Sequence, residues 1–407
     1  MKLEAALSPG WGVLDYMERY VNDGSPSGFT LDGKLSPETS PFGTQPSFHP
    51  YQLSDLPGHQ CTVRESGRFP CPEGYSSLFV HPDALSRIEE EGFTCVRNPD
   101  HSFVPTSSGR TCRVLGEERG YYIKMSYPGT LGRVDRSLPA FKAIAGIEVT
   151  DEIATAFDQG AMSKATTILP EVAAVIARAP ANPAITVCHV IRAYTAYPEA
   201  PAPAARVPLF SFWSGDRRAP DDRSLLTQVE AGDPDRAARL VHDIASTLIG
   251  FFFGLWRSRG LLYEVNAQNV LVELDSAGNF LRVVLRDFNS TEKDAFRRRH
   301  LGLPMTFEAG DYKIIAEDNA NYRQVRHSFA FDFKLCQYAI APLLDTLDKS
   351  ECSRGADLLD SLRQKVEHEM RDLPADFFPS DRIWWAHPRV DLTRERPYVQ
   401  LTNPMLR

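Results

Sequence analysis

Residues 261–291 read LLYEVNAQNVLVELDSAGNFLRVVLRDFNST, and the reading of this stretch decides the fold. Two aliphatic and β-branched runs, 270–274 and 281–285, flank the turn Asp275-Ser276-Ala277-Gly278-Asn279, which predicts a β-hairpin. Polar residues gather at its open end: Glu264, Asn266, Gln268 and Asn269 on the way in, Arg286 and Asp287 on the way out. A hairpin returns Asp287 to the neighbourhood of Asn269. An amide oxygen and a carboxylate on adjoining strand ends suit a magnesium ion that also contacts nucleotide phosphates. A surface hairpin with a polar rim is the plainer alternative, and the rest of the chain must separate the two.

Immediately upstream stands the strongest helical pattern. Asp233 can cap it, Pro234 suits its first turn and Gly260 can end it. Leu240, Ile244, Leu248, Phe252 and Trp256 repeat every fourth residue, with Val241, Ala245, Ile249 and Phe253 beside them. So wide an apolar face predicts a core helix packed on the hairpin. A second apolar helix is expected over 331–347. Further upstream, 77–80, 121–125 and 185–195 read as strands, while 151–157 and 169–177 show helical periodicity. The proline-rich segment 197–208 marks a hinge or domain boundary. Gly, Pro and Ser dominate the first sixty residues, which read as a loop-rich cap. The expected fold class is therefore α+β, in three regions: a cap (1–60), a strand-rich region (61–205) and a helix-rich C-terminal region (206–407).

Composition narrows the function classes. The 407 residues, 43% hydrophobic and 24% charged, are those of an ordinary soluble globular protein. A net charge of −8 argues against a nucleic-acid partner, because phosphate neutralisation needs clustered cations. The run Arg297-Arg298-Arg299 is short enough to be a solvated helix face. Seven scattered cysteines include no CxxC pair, so neither a zinc site nor a disulfide framework is indicated. The N-terminus lacks the layout of a signal peptide. The apolar run 244–256 falls short of the ~20 residues of a membrane span. No membrane partner and a cytoplasmic location are expected.

A phosphate-handling protein needs cations, and two segments supply them: PTSSGRTCR at 105–113 and YYIKMSYPGTLGRVDR at 121–136. Arg grips two phosphate oxygens with its planar fork, while Lys acts as a point charge. Taken singly, Arg110, Lys124 and Arg136 are ordinary among 45 Lys and Arg residues. No GxxxxGK[ST], no GxGxxG after a strand and no HRD…DFG set is present, so glycine cradles are not the phosphate device here. His49 and His81 each precede proline and read as structural turns, and His189 reads as a packed core histidine.

In order along the chain stand Ser108-Gly109-Arg110-Thr111, Lys124-Met125-Ser126 with Arg136 twelve residues after the lysine, Glu264-Val265-Asn266-Ala267-Gln268-Asn269, and Arg286-Asp287. This series resembles the S-x-R-T, K-x-S…R, E-x-H-x-Q-N and R-D elements of the nonribosomal-peptide-synthetase-independent siderophore synthetases of the aerobactin-synthetase type. Leu78–Pro82, Asp332–Leu344 and Asn403-Pro404 look like further elements of that family. The resemblance implies a hand-like, multi-domain α+β synthetase with a mixed-sheet fingers region, a thumb and a helix-rich palm. It implies ATP and Mg2+ as cofactors, and a carboxylic acid with an amine or alcohol nucleophile as small-molecule partners. Such enzymes adenylate the acid, and the nucleophile then displaces AMP to give an amide or ester.

Carried over by position, Ser108, Arg110, Thr111, Lys124 and Arg136 would hold phosphates. Glu264, Gln268 and Asn269 would contact the nucleotide, and Asn269 with Asp287 would hold magnesium. Lys124, Arg136 and Asn266 would stand at the reacting centre. Homodimers are common in the family, so a homodimer is an expectation too. The departures concern the acyl side: Asn266 replaces the family's His, Gly132 its Thr, and Leu53 the Lys of an upstream HPxHPxxK element. The N-terminal region is also shortened. Two other readings stay open: a small-molecule phosphotransferase of kinase-like fold, although 266–269 lacks a catalytic Asp, and a catalytically weak nucleotide-binding relative.

Overall fold

The computed structural model describes residues 1–8, 10–23, 34–54, 61–116, 120–131, 134–315, 320–348, 354–371, 382–386 and 398–402. Gly132 and the Asn403-Pro404 pair lie outside these residues. Within them the chain forms a mixed α/β protein built from several sheets and helices.

The long helix obeys its sequence signals. The Asp233 carboxylate accepts the Arg236 N–H at 2.9 Å, Pro234 fills the first turn, and helix Pro234–Arg259 ends at Gly260 with φ +62. Its apolar stripe, Leu240, Ile244, Leu248 and Phe252, is buried in one core with Val272, Val283 and Leu285 of the hairpin. That hairpin pairs Val270–Leu274 antiparallel with Phe280–Leu285, Val270 facing Leu285. Ala205–Pro208 extends it on one side, and Thr166–Ile168 adds in parallel on the other, giving a four-stranded sheet.

A second, six-stranded sheet runs in the order Cys61–Glu65, Glu171–Arg178, Thr186–Ala193, Tyr121–Met125, Thr111–Val114, Phe103–Pro105. Strand alternation sorts its side chains. Cys112, Ile123, Met125, Val175 and Ile191 fill one core, while Ala174, Ile176, Cys188 and Val190 pack under Ala140–Asp158 on the other face. The two sheets are spliced by the chain itself, because Thr166–Ile168 passes through Leu169 and Pro170 straight into Glu171–Arg178. The Leu169 N–H donates to the Leu285 carbonyl at 2.8 Å across that splice.

Four expectations need correcting. Residues 169–177 are not helical: Glu171–Arg178 is a central strand buried on both faces, so its apolar run lost the alternation that identifies strands. The first sixty residues are more than a loop-rich cap. Helix Trp11–Tyr20 inserts Met17 into the long helix's core and packs Leu14 against Tyr122, Leu271 and Val284. Its apolar spacing is short and lies in a stretch rich in Gly and Pro, which masks it in the sequence. The 197–208 segment does not hang free as a hinge, for Ala205–Pro208 is laddered to Val270–Leu274 and the Tyr197 N–H donates to the Ile168 carbonyl at 2.8 Å. The second apolar helix starts earlier than expected, as Ala320–Ser328, and continues through a π-helical stretch Phe329–Ile340 into Ala341–Asp348.

Gly260 is required where it stands. A Cβ there would lie 2.7 Å from Arg298 Cγ and 3.1 Å from its backbone nitrogen, in a left-handed conformation that L side chains disfavour by about 1–2 kcal/mol. Gly260→Ala should therefore lower the unfolding free energy by about 2 kcal/mol, measured as a shift in the urea midpoint. An unchanged midpoint would show that the helix end relaxes freely.

Candidate functional site

One wall of the site is a sheet face. Along Tyr121–Met125, Ile123 and Met125 enter the core, so Lys124 must project to the opposite face. Register sets Thr111 opposite Lys124 and Glu171 opposite Arg192. The other wall is the open end of the hairpin. Arg286 N–H donates to the Asn269 carbonyl at 3.0 Å, and the buried Tyr263 hydroxyl donates to the Arg286 carbonyl at 2.5 Å. The two polar ends are thereby locked together, and Asp287 leaves the strand at φ +75, a conformation uncommon outside glycine.

Between these walls Thr106, Ser107, Ser108, Thr111, Arg192, Gln268, Asn269, Arg286 and Asp287 line a single small cleft. Lys124 Nζ makes an ion pair with Asp287 and a 3.0 Å hydrogen bond to Asn289 Oδ1. Arg192 lies 3.6 Å from the same Asp287 oxygen. Arg110 donates to the Arg136 carbonyl and is buried at the same place.

The electrostatics follow from burying like charges. Burial lowers the Arg110 guanidinium to about 10, and the neighbouring Arg136 adds to the effect. Burial lowers Lys124 as well, against the pull of Asp287. For Asp287 burial works against ionisation, but Lys124, Arg192 and Arg110 outweigh it and hold the carboxyl well below the usual range. Glu264 is also held low, burial being outweighed by Lys334, which it meets at 2.5 Å, and by Lys313. The site is thus a charged carboxylate ringed by cations.

Local devices fix the remaining groups. Ser108 Oγ accepts the Thr111 N–H at 3.0 Å across a turn that needs Gly109 at φ +75. Buried His81 supports that turn: Nδ1 accepts the Asp83 N–H at 3.2 Å, so Nε2 carries the proton and donates to the Gly109 carbonyl at 3.1 Å. Glu18 ties the walls together. One of its oxygens accepts from Ser107 Oγ at 2.7 Å, and the other meets Arg286 at 2.5 Å. Gln268 reaches Ser107 Oγ at 3.4 Å.

The fold therefore brings together Ser108, Thr111, Gln268, Asn269 and Asp287 in the cleft, with Lys124, Arg110 and Arg136 around them and Glu264 behind Asn269. Asn266 acts on its own loop, where its side-chain oxygen accepts the Gln268 N–H at 3.0 Å and caps the turn 267–269. His189 is a core histidine stacked on Phe79, and His327 is buried against Asp294 at 2.9 Å. Sequence reasoning missed Glu18, Glu171, Arg192, Asn289 and Lys334. Arg192 carried a signal, being a cation inside the apolar strand run ITVCHVIRAYT, where a buried guanidinium demands an acidic partner.

The donor set fits a magnesium ion. Asn269 donates an amide hydrogen to the Glu264 carbonyl at 3.2 Å, which leaves its oxygen as the end available to a cation beside the Asp287 carboxylate. One carboxylate and one amide oxygen, completed by phosphates and water, is an ordinary magnesium environment.

No protein-family model matches the chain, and no curated protein sequence matches it. Solved structures do. The petrobactin biosynthesis protein AsbB from Bacillus anthracis superposes with a TM-score of 0.69 at 14% identity, covering 96% of this chain and 74% of that one. The aerobactin synthetase IucA from Klebsiella pneumoniae gives 0.65 at 13% identity, covering 95% and 74%. The ATP-bound structure of that synthetase gives 0.68 at 14%, covering 91% and 72%. This chain has the fold of the aerobactin- and petrobactin-type siderophore synthetases.

Burial pushes His81 down to about 4 and His189 to about 3 from an ordinary value near 6.5. Both imidazoles are neutral when folded, and the unfolded chain binds their protons first. Their stabilisation is whole above pH ~6.5 and is lost as pH falls, at about 1.4 kcal/mol per unit for each histidine. Urea unfolding between pH 7.5 and 5 should show this slope, and His81→Asn should remove about half of it. An unaltered slope in that variant would refute the assignment.

Proposed function

We propose that this protein is an ATP- and magnesium-dependent ligase that adenylates a carboxylic acid and passes the acyl group to an amine or alcohol, in siderophore or related natural-product biosynthesis. The observation that carries this reading is the ring of Arg110, Lys124, Arg136 and Arg192 around ionised Asp287. That ring lies in a fold shared with a synthetase solved with ATP. Clustered cations at a preorganised site are what a triphosphate needs, since they neutralise charge that shifts toward the leaving pyrophosphate.

In this reading the substrate carboxylate oxygen attacks the α-phosphorus and pyrophosphate leaves. The amine or hydroxyl then attacks the acyl carbon and AMP leaves. Arg110, Lys124 and Arg136 bind and orient the phosphates, while Ser108, Thr111 and Gln268 offer neutral hydrogen bonds. Asn269 and Asp287 would hold magnesium, which when bound would neutralise phosphate charge. The acid differs from citrate on two grounds. Leu53, where the family carries a Lys, is packed in the core with Phe48 and Phe79 and offers no cation. Asn266 can hydrogen-bond but cannot carry a proton.

Incubation with ATP, magnesium, a panel of acids and hydroxylamine should yield hydroxamate with AMP and pyrophosphate. Release of ADP without AMP would make the protein a phosphotransferase instead. Asp287→Asn should abolish the magnesium dependence of ATP binding, followed by calorimetry, because a neutral amide is a weaker magnesium ligand. Persistence of that dependence would sink the metal assignment.

Asn266→His should lower the rate on the native acid, since the imidazole must replace the oxygen that caps the 267–269 turn. A gain on citrate, with a new pH dependence near ~6.5, would instead show that Asn266 alone had cost the protein its citrate chemistry.

A further inference from the structure

Arg192 belongs to no motif, yet it is among the most deeply buried cations in the described residues, at 2% exposure. Its guanidinium lines the cleft, donates to Glu171 Oε1 at 2.9 Å and lies 3.6 Å from Asp287 Oδ1. Among the described residues its Nε meets no acceptor. Glu171 is wholly buried and held from below. Its N–H donates to Thr150 Oγ1 at 3.3 Å, and that hydroxyl donates to the Gly146 carbonyl at 2.9 Å. Its carboxylate lies flat against Gly146, where a Cβ would sit 2.0 Å from Oε2. Helix Ala140–Asp158 thus leaves a notch for this one carboxylate.

The surrounding charges explain why such a notch is useful. Arg110, Lys124, Arg136 and Arg192 gather around Asp287, with Glu171 paired to Arg192 and with Glu264 and Asp135 acting on Arg136 from the side. Lys124 and Arg192 share the single Asp287 oxygen Oδ1, so each keeps donors that a polyanion in the cleft would meet. A buried arginine with a spare donor, facing that cleft from a rigid strand, is preorganised to meet it.

We propose that Arg192 is a further phosphate-contacting residue of this cleft, and that Glu171, seated in the Gly146 notch, is the positioning residue that aims it. The proposal rests on the nucleotide-binding reading above. Glu171 holds one end of the guanidinium, and its remaining donors then reach phosphate oxygens beside Lys124. Gly146 matters because any side chain there would push the carboxylate off its arginine.

The test uses three probes on the intact chain: ATP with magnesium, inorganic tripolyphosphate and adenosine. Arg192→Ala should weaken both polyphosphates roughly 10- to 150-fold, the range for losing a charge-assisted hydrogen bond, and leave adenosine unaffected. Arg192→Lys, which keeps the charge and the fold, should fall between. Glu171→Gln and Gly146→Ala should each raise the KM for ATP several-fold while kcat changes less, and adding Glu171→Gln to Arg192→Ala should cost nothing more.

Polyphosphate affinity unchanged in folded Arg192→Lys and Arg192→Ala, with only the melting temperature lowered, would overturn the proposal and leave Arg192 a structural ion-pair partner. Arg192-dependent tripolyphosphate binding without AMP formation would uphold it while removing the ligase reading. Failure of the wild type to bind either polyphosphate would remove both.

Discussion

The structure turns on the ion pair between Lys124 and Asp287, which crosses the junction of the two sheets. Neither charge could be buried alone, because an unpaired ion in a protein interior costs several kcal/mol. Each is placed by an element that has independent reasons to exist. Lys124 faces the junction because Ile123 and Met125 on either side face the core, and Asp287 arrives there because its hairpin pairs Val270 with Leu285. The contact is a consequence of two registers, and a one-residue slip of Tyr121–Met125 would bury an apolar side chain there instead.

Around that pair the fold buries polarity in a way a purely structural core would not. Glu18, Glu171, Arg110, Arg192 and Arg286 are all nearly inaccessible, and each meets a partner on another element. Replacing such pairs with hydrophobic residues is often neutral or stabilising in proteins. Their concentration at one cleft, beside a residue at positive φ, is therefore better explained by a ligand than by stability. Helix Trp11–Tyr20 belongs to this arrangement, because its Glu18 hydrogen-bonds both the Ser107 turn and Arg286.

The neighbouring synthetases share the fold at 13–14% identity, a level at which side chains have been replaced almost everywhere. In the proposed reading, what this chain retains at the nucleotide positions and what it changes at Leu53 and Asn266 divide along the same line as the physics. Phosphate recognition is generic, resting on charge and a metal. Recognition of the acid is particular, and it varies with the shape and charge of a few side chains.

The long helix with its caps, the hairpin with its turn and the polar ends that the hairpin unites are all legible in the sequence. These are local matters of periodicity and turn chemistry, and no distant residue can overrule so strong a pattern. Most of the cleft is legible there too, since Ser108, Thr111, Gln268, Asn269 and Asp287 sit in short recognisable strings. Only the tertiary structure decided that Glu171–Arg178 is a strand, because burial on both faces erased the alternation that would have announced it. Only the tertiary structure brought in Glu18, Glu171, Arg192 and Lys334. Their partners lie 268, 21, 95 and 70 positions away along the chain, and a charge so buried gains its meaning from a neighbour that sequence spacing does not reveal.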